Sequence, residues 1–345
     1  MVDKTGIQDI GDLRLASGAV LPQARLAYVT HGRLAGDGRN AALLTHGYTS
    51  SHLMAGAGAS EGPWSQLVGP GRAIDTDRFF VVSSNMLGSS YGSTGPASRN
   101  PATGRPYGPD FPDITLIDIV TAQMALLRAF EVRHLAAVVG PSYGGFQAFQ
   151  WAVTFPDFLD AIVPVVSAPR RPNETDIAGL QARLARDPNW NDGHYYEKGG
   201  ILPTLAALRE DTLRRYGIEA QLAPRMPDRA TRNAEISRLA LAWAREFDAH
   251  SLLVLGRAMN TYDVEPQFSR IRARVLYVLS RTDVLFPPSL APEIMAKLSR
   301  AGVEADYCEI DSEHGHLASG TDAAKWAPRL KAFMDRLSVA TSASA

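Results

Sequence analysis

The chain has one cysteine in 345 residues, Cys308, so it forms no disulfide within itself and offers no cysteine-based metal cluster. Neither sign of charge is in excess. The 35 Lys and Arg stand against 36 Asp and Glu, which removes the electrostatic footprint of a protein whose main partner is nucleic acid or an anionic membrane. No apolar run approaches the roughly 20 residues that span a bilayer, and residues 1–8 carry no apolar stretch of signal-peptide length. Internal repeats are absent as well. What remains is an ordinary composition, long enough for one large α/β domain or two small ones. The expectation is a cytoplasmic protein that works on a small molecule, with no nucleic acid, no membrane, no metal and no cofactor.

Against that background one stretch stands out. Residues 135–139 form a short aliphatic run that stops at Gly140; Ser142 follows two residues on, then Gly144 and Gly145, and an apolar, helix-compatible segment begins at Phe146. Strand, sharp turn and helix are the context that Gly140-x-Ser142-x-Gly144 requires of a nucleophile elbow. The glycines leave room where side chains would collide with strand and helix. The backbone N–H groups of Ser142 and Tyr143 fall at the helix N-terminus, where unpaired donors and the helix dipole favour an oxyanion.

Around the elbow the periodicity predicts an α/β fold with a mostly parallel central sheet flanked by helices. Two alternating stretches, 12–15 and 24–29, read as a hairpin around Gly18 and Pro22. Residues 41–45 and 79–83 read as buried strands. Residues 115–130 read as a helix, with Ile117, Val120, Met124, Leu127 and Phe130 on one face and Thr115 or Asp113 as cap. That helix precedes the elbow strand, so the unit is βαβ and its strands are parallel. Strands at 161–166, 275–279 and 305–310, a helix to about 301 and a last helix at 326–337 complete the layout. The Gly-, Ser- and Pro-rich loop 85–112 is too long for an idle connection and is expected at the rim of the active site. In residues 170–263 strand patterns give way to helical ones. The chain thus divides into a core domain, 1–169 with 264–338, an inserted helical lid, 170–263, and a disordered tail, 339–345.

A serine hydroxyl needs a base to take its proton, and the base needs a carboxylate to set its tautomer. The chain order serine, acid, histidine brings in Asp283, just past the strand at 275–279, and Ser312-Glu313-His314-Gly315-His316, just past the next strand. His316 is favoured over His314, because Gly315 permits the sharp loop that returns it to the serine. A His-x-His metal pair would lack its third and fourth ligands. The loop His46-Gly47-Tyr48 follows the strand at 41–45 and is expected to face the elbow, with the Tyr48 N–H as second oxyanion donor beside that of Tyr143. His46 and His52 read as structural hydrogen-bonding residues of that loop.

The longest informative runs lie elsewhere. They are Gly69-Pro70-Gly71-Arg72-Ala73-Ile74-Asp75-Thr76-Asp77-Arg78-Phe79-Phe80, Asn85-Met86-Leu87-Gly88 and Tyr91-Gly92-Ser93-Thr94-Gly95-Pro96-Ala97-Ser98, continued by Pro101-Ala102-Thr103-Gly104 and Tyr107-Gly108-Pro109-Asp110-Phe111-Pro112. With them the chain resembles, from Leu43 to Leu330, the homoserine O-acetyltransferase-like branch of the α/β-hydrolases. The resemblance implies an α/β-hydrolase fold with an inserted helical lid, Ser142 as nucleophile, Asp283 as acid and His316 as base. It further implies a homodimer paired through the lid, which is matched by Asp187-Pro188-Asn189-Trp190 and Phe247-Asp248-Ala249-His250-Ser251. Arg209 matches the lid arginine that holds a substrate carboxylate; by pattern alone it reads equally as a solvated helix face. One departure bears on substrate. Members that use homoserine follow the catalytic histidine with an aspartate for the substrate ammonium, whereas here Leu317 follows, and an apolar side chain cannot pair with a buried cation. Tyr143 also stands where those members usually carry methionine.

The expectation is a serine acyl-transfer enzyme with an acyl-enzyme intermediate that hydrolyses a small ester or related acyl compound. The alternative is an O-acetyltransferase with acetyl-CoA as co-substrate and a small alcohol as acceptor. A remoter one is a non-catalytic binding protein on the same fold, whose mark would be a broken triad.

Overall fold

The computed structural model describes residues 4–58, 60–171 and 175–342. Strands β1 (Lys4–Arg14) and β2 (Val20–His31) form an antiparallel hairpin. It starts earlier than the alternation suggests, because a bulge at Gly11, with φ +75°, carries the pairing past the break in the pattern. β3 (Ala41–Leu44) follows, then a separate two-stranded pair, β4 (Val68–Gly69) with β5 (Ile74–Asp75). β6 (Phe80–Ser84), β7 (Leu135–Pro141), β8 (Ala161–Val165), β9 (Arg274–Ser280) and β10 (Ala305–Ile310) complete the main sheet. Its order is β1-β2-β6-β3-β7-β8-β9-β10, parallel from β6 onward.

Successive side chains of a strand face opposite sides of the sheet, and the core divides accordingly. Leu43, Val138, Ile162, Val275 and Tyr277 join one buried cluster with helices α1 (Leu116–Ala129) and α2 (Tyr143–Thr154). Leu44, Val139, Val163, Leu276 and Val278 join the other, with Trp326, Leu330 and Phe333 of the last helix. Thr115 caps α1 in a reciprocal box with Asp118. The second Asp118 oxygen accepts the Ala16 N–H at 2.6 Å, so the cap also pins the β1–β2 turn.

Between β8 and β9 the described residues carry no strand. They form α3 (Ile177–Leu184), α4 (Leu202–Tyr216), α5 (Ile218–Leu222), α6 (Arg229–Ala244) and α7 (Ala249–Asn260), with short 3-10 turns. The two ends of this segment meet in an antiparallel bridge between Arg170 and Asp263. Its helices differ in their packing. Val254, Leu255, Ala258 and Met259 of α7 belong to the main core, while Leu213, Ile218, Leu222, Ile236 and Ala240 of α4–α6 form a small cluster of their own.

After β9 come α8 (Ala291–Arg300), α9 (Ala318–Thr321) and α10 (Ala323–Ser342). The last helix runs to Ser342 and so takes in 339–342 of the expected tail. Residues 343–345 of that expected tail lie outside the described residues. No helix among the described residues is long and apolar enough to cross a membrane.

Candidate active site

Ser142 sits between β7 and α2 with φ 56° and ψ −120°, a conformation that a non-glycine residue adopts only when its surroundings impose it. Those surroundings are glycine-dependent: a Cβ on Gly140 or Gly144 would collide with Thr45, and one on Gly145 with the Ser167 side chain. The Ser167 hydroxyl donates to the Ser142 carbonyl at 2.8 Å, and Thr45 Oγ1 to that of Gly144 at 2.9 Å. One sequence expectation changes here. The Ser142 N–H is spent on the Val165 carbonyl at 2.8 Å, so of the two elbow donors only that of Tyr143, the first of α2, is left without an intrahelical acceptor.

Asp283 and His316, separated by 33 residues, meet behind the serine: His316 Nδ1 lies 2.8 Å from Asp283 Oδ2. The other carboxylate oxygen accepts the N–H groups of Leu285 at 2.8 Å and Phe286 at 3.3 Å. The carboxylate thereby fixes the ring with its proton on Nδ1 and a lone pair on Nε2. Phe286 stacks on the ring at 5.7 Å, and Tyr216 packs against it at 4.9 Å. Gly315 has φ 52°, the left-handed turn that the sequence required, and its N–H donates to Thr282. His316 lines the same cavity of about 280 Å³ as Ser142, and His314 does not. No hydrogen bond joins Ser142 Oγ to His316 among the described residues; such contacts often tighten only with substrate in place.

The loop after β3 passes directly over the serine, since a Cβ on Gly47 would stand 3.8 Å from that of Ser142. Tyr48 and Tyr143 place their rings 6.0 Å apart and nearly parallel. Both phenols are anchored on α7: Tyr48 donates to the Leu252 carbonyl, and Tyr143 to that of Leu255 at 3.3 Å. Burial pushes both hydroxyls well above the ordinary tyrosine range, so they remain neutral donors.

Arg209, on α4, reaches the cavity from above. It donates to Thr49 Oγ1 at 2.6 Å and lies over the Trp243 ring at 5.0 Å, and Trp243 in turn donates to the Thr49 carbonyl. Its Nε is buried without a partner, and burial lowers its pKa. No aspartate or glutamate lines the cavity among the described residues. Leu317 lines it beside His316 and packs on the small α4–α6 cluster, while Glu313 is exposed and paired with Arg281. The loop 85–112 is not where the sequence suggested: none of it lines this cavity, and most residues from Ser89 to Arg99 line a separate groove of about 650 Å³.

The sequence profile of the alpha/beta hydrolase fold matches residues 43–323. The chain belongs to the α/β-hydrolase fold family. Within it, the chain belongs to the homoserine O-acetyltransferase-like branch. It is 35% identical to a homoserine O-acetyltransferase of Geobacter sulfurreducens over 98% of each chain, and 37% identical to one of Moorella thermoacetica over 89% of each. The crystal structure of homoserine O-acetyltransferase from Bacillus anthracis matches with TM-score 0.88 and 26% identity, covering 97% of this chain and 98% of that one. That of esterase E22 matches with TM-score 0.87 and 27% identity, covering 96% of this chain and 100% of that one. The protein is therefore an α/β-hydrolase-fold enzyme of the hydrolase and acyltransferase kind. The activity of these curated relatives supports the acetyltransferase alternative better than hydrolysis.

Several residues of this α/β-hydrolase site escape a reading by motif. The Tyr48 and Tyr143 phenols act across more than 100 residues of chain. Gln147, buried in α2, donates to the His46 carbonyl at 3.1 Å and lies within 3.3 Å of that of Tyr143, yet a glutamine in an apolar helix has no signature beyond its oddity there.

Proposed function

We propose that the protein is a serine acyl-transfer enzyme in which Ser142 is the nucleophile, His316 the base and Asp283 the residue that orients it. The observation that carries this reading is the buried Asp283–His316 pair, whose histidine lines one cavity with a serine held in strained conformation at the head of α2. Ser142 Oγ attacks the acyl carbonyl as its proton passes to His316 Nε2. The N–H groups of Tyr48 and Tyr143 receive the oxyanion. The leaving group departs with the proton from His316, and the acyl-enzyme is resolved by an acceptor that His316 deprotonates in turn. Residues 170–263 act as a lid domain over the core, and a homodimer paired through this lid, in the cytoplasm, accords with the family.

For the acceptor, kinship supports O-acetyl transfer from acetyl-CoA, a co-substrate and not a resident cofactor, to a small alcohol. The cavity narrows that alcohol. Arg209 suits a carboxylate, and among the described residues no lining carboxylate pairs with an ammonium, Leu317 standing beside His316. A hydroxy acid without an amine fits these walls better than homoserine. The second reading, hydrolysis of a small ester, rests on the same missing carboxylate and on the likeness to esterase E22. Coenzyme A release from acetyl-CoA, measured alone, with homoserine and with an amine-free hydroxy acid, separates them. Stimulation by the hydroxy acid alone supports the first reading. Release without any acceptor, with turnover of p-nitrophenyl acetate, supports the second, and saturation at micromolar homoserine would overturn hydrolysis and the amine-free acceptor while leaving O-acetyl transfer standing.

A further inference from the structure

Behind the Tyr48 loop lies a chain of buried polar side chains that no step of acyl transfer uses. His46 is wholly buried. Its Nε2 faces the backbone N–H of Met86 at 3.0 Å, a group that only donates, so the lone pair sits on Nε2 and the ring proton on Nδ1. Nδ1–H then donates to the Gly47 carbonyl at 2.9 Å. That carbonyl and the Tyr48 N–H are the two ends of one planar peptide, so fixing the oxygen fixes the direction of the N–H. A donor on the oxygen also polarises the amide and strengthens its N–H. One residue back, the His46 carbonyl accepts from Gln147 Nε2; Gln147 Oε1 accepts from Gln123 at 2.7 Å, and Gln123 Oε1 from the Trp151 indole at 2.7 Å. The bracing thus reaches from α1 and α2 to the loop.

We infer that His46 is the positioning residue of the oxyanion site: through Gly47 it aims the Tyr48 N–H at the serine, and the Gln147–Gln123–Trp151 chain holds it there. The inference rests on the reading of that N–H as an oxyanion donor. Burial holds the ring down to about 3, so it keeps one proton and one role across the working range.

Two variants and one measurement on the unaltered protein test it. His46→Asn places its amide nitrogen where Nδ1 stands and keeps the donor to Gly47; His46→Gln carries its amide farther out and loses it. For His46→Gln the expected result is a kcat on p-nitrophenyl acetate lowered roughly 100-fold, with KM within about twofold. A trifluoromethyl ketone, whose adduct with Ser142 bears the oxyanion, should weaken by a similar factor, while Ser142 still reacts fully with a fluorophosphonate. His46→Asn should recover kcat to within about tenfold. Equal losses in the two variants, or losses that leave ketone affinity unchanged, would overturn the inference. In 15N-histidine-labelled protein, His46 should show a protonated Nδ1 and a bare Nε2 from about pH 5 to 9; the opposite tautomer would also overturn it. Failure of the catalytic reading itself is distinguishable, because it would appear as full turnover in Ser142→Ala.

Discussion

Thr45, His46, Gln147 and Ser167, which underlie Ser142, complete hydrogen bonds to the backbone around the elbow, whereas Arg209 above it keeps a buried Nε with no partner and meets no carboxylate. The floor is finished before any ligand arrives. Its donors and its strained serine are fixed by the sheet, so little reorganisation is needed when charge develops. The roof leaves that Nε unsatisfied, on helices α4–α6 whose apolar cluster is separate from the main core. In the proposed reading, chemistry belongs to the floor and choice of substrate to the roof.

The largest expected effects fall on the floor. Ser142→Ala and His316→Ala should each lower turnover roughly a million-fold, with the fold intact by circular dichroism. His314→Ala, outside the cavity, should stay within about tenfold, and an inverted result for the two histidines would move the base. Arg209→Leu comes next. It should raise KM for a carboxylate-bearing substrate roughly 10- to 100-fold and leave p-nitrophenyl acetate nearly unchanged; equal losses on both would erase the distinction between floor and roof. Leu317→Asp sharpens it from the other side, since a lining carboxylate should raise homoserine-dependent coenzyme A release about tenfold. Absence of any gain would place ammonium recognition elsewhere. The smallest catalytic effect belongs to Asp118→Ala, which strips a helix cap and the Ala16 N–H of their acceptor. Urea unfolding should show a loss of about 2 kcal/mol, with kcat within twofold.

The contrast between floor and roof also governs what could be read from the chain. The elbow, the order Ser142, Asp283, His316 and the strands around them were legible because each has a local cause: glycines that avoid Thr45 and Ser167, aliphatic runs of strand length, a left-handed Gly315. The tethers of Tyr48 and Tyr143 to α7 were not, since a phenol that donates across the fold leaves no trace in its neighbours. The loop 85–112 misled for a related reason. Its length implied function, but its first residues brace His46 from behind through the Met86 N–H, and several residues between Ser89 and Arg99 line another groove. Arg209 was ambiguous in sequence because a helix face shows periodicity without showing what covers it.

The bridge between Arg170 and Asp263 gives the fold a particular evolutionary freedom. A segment that leaves and rejoins the sheet at a single point can be lengthened, trimmed or exchanged without altering the pairing of β8 with β9. Exempt are α7, whose carbonyls anchor the two tyrosines, and Tyr216 at the end of α4, which packs against the His316 ring. Grafting foreign helices between residues 177 and 244, with Tyr216 retained, is therefore a rational route to new acceptors.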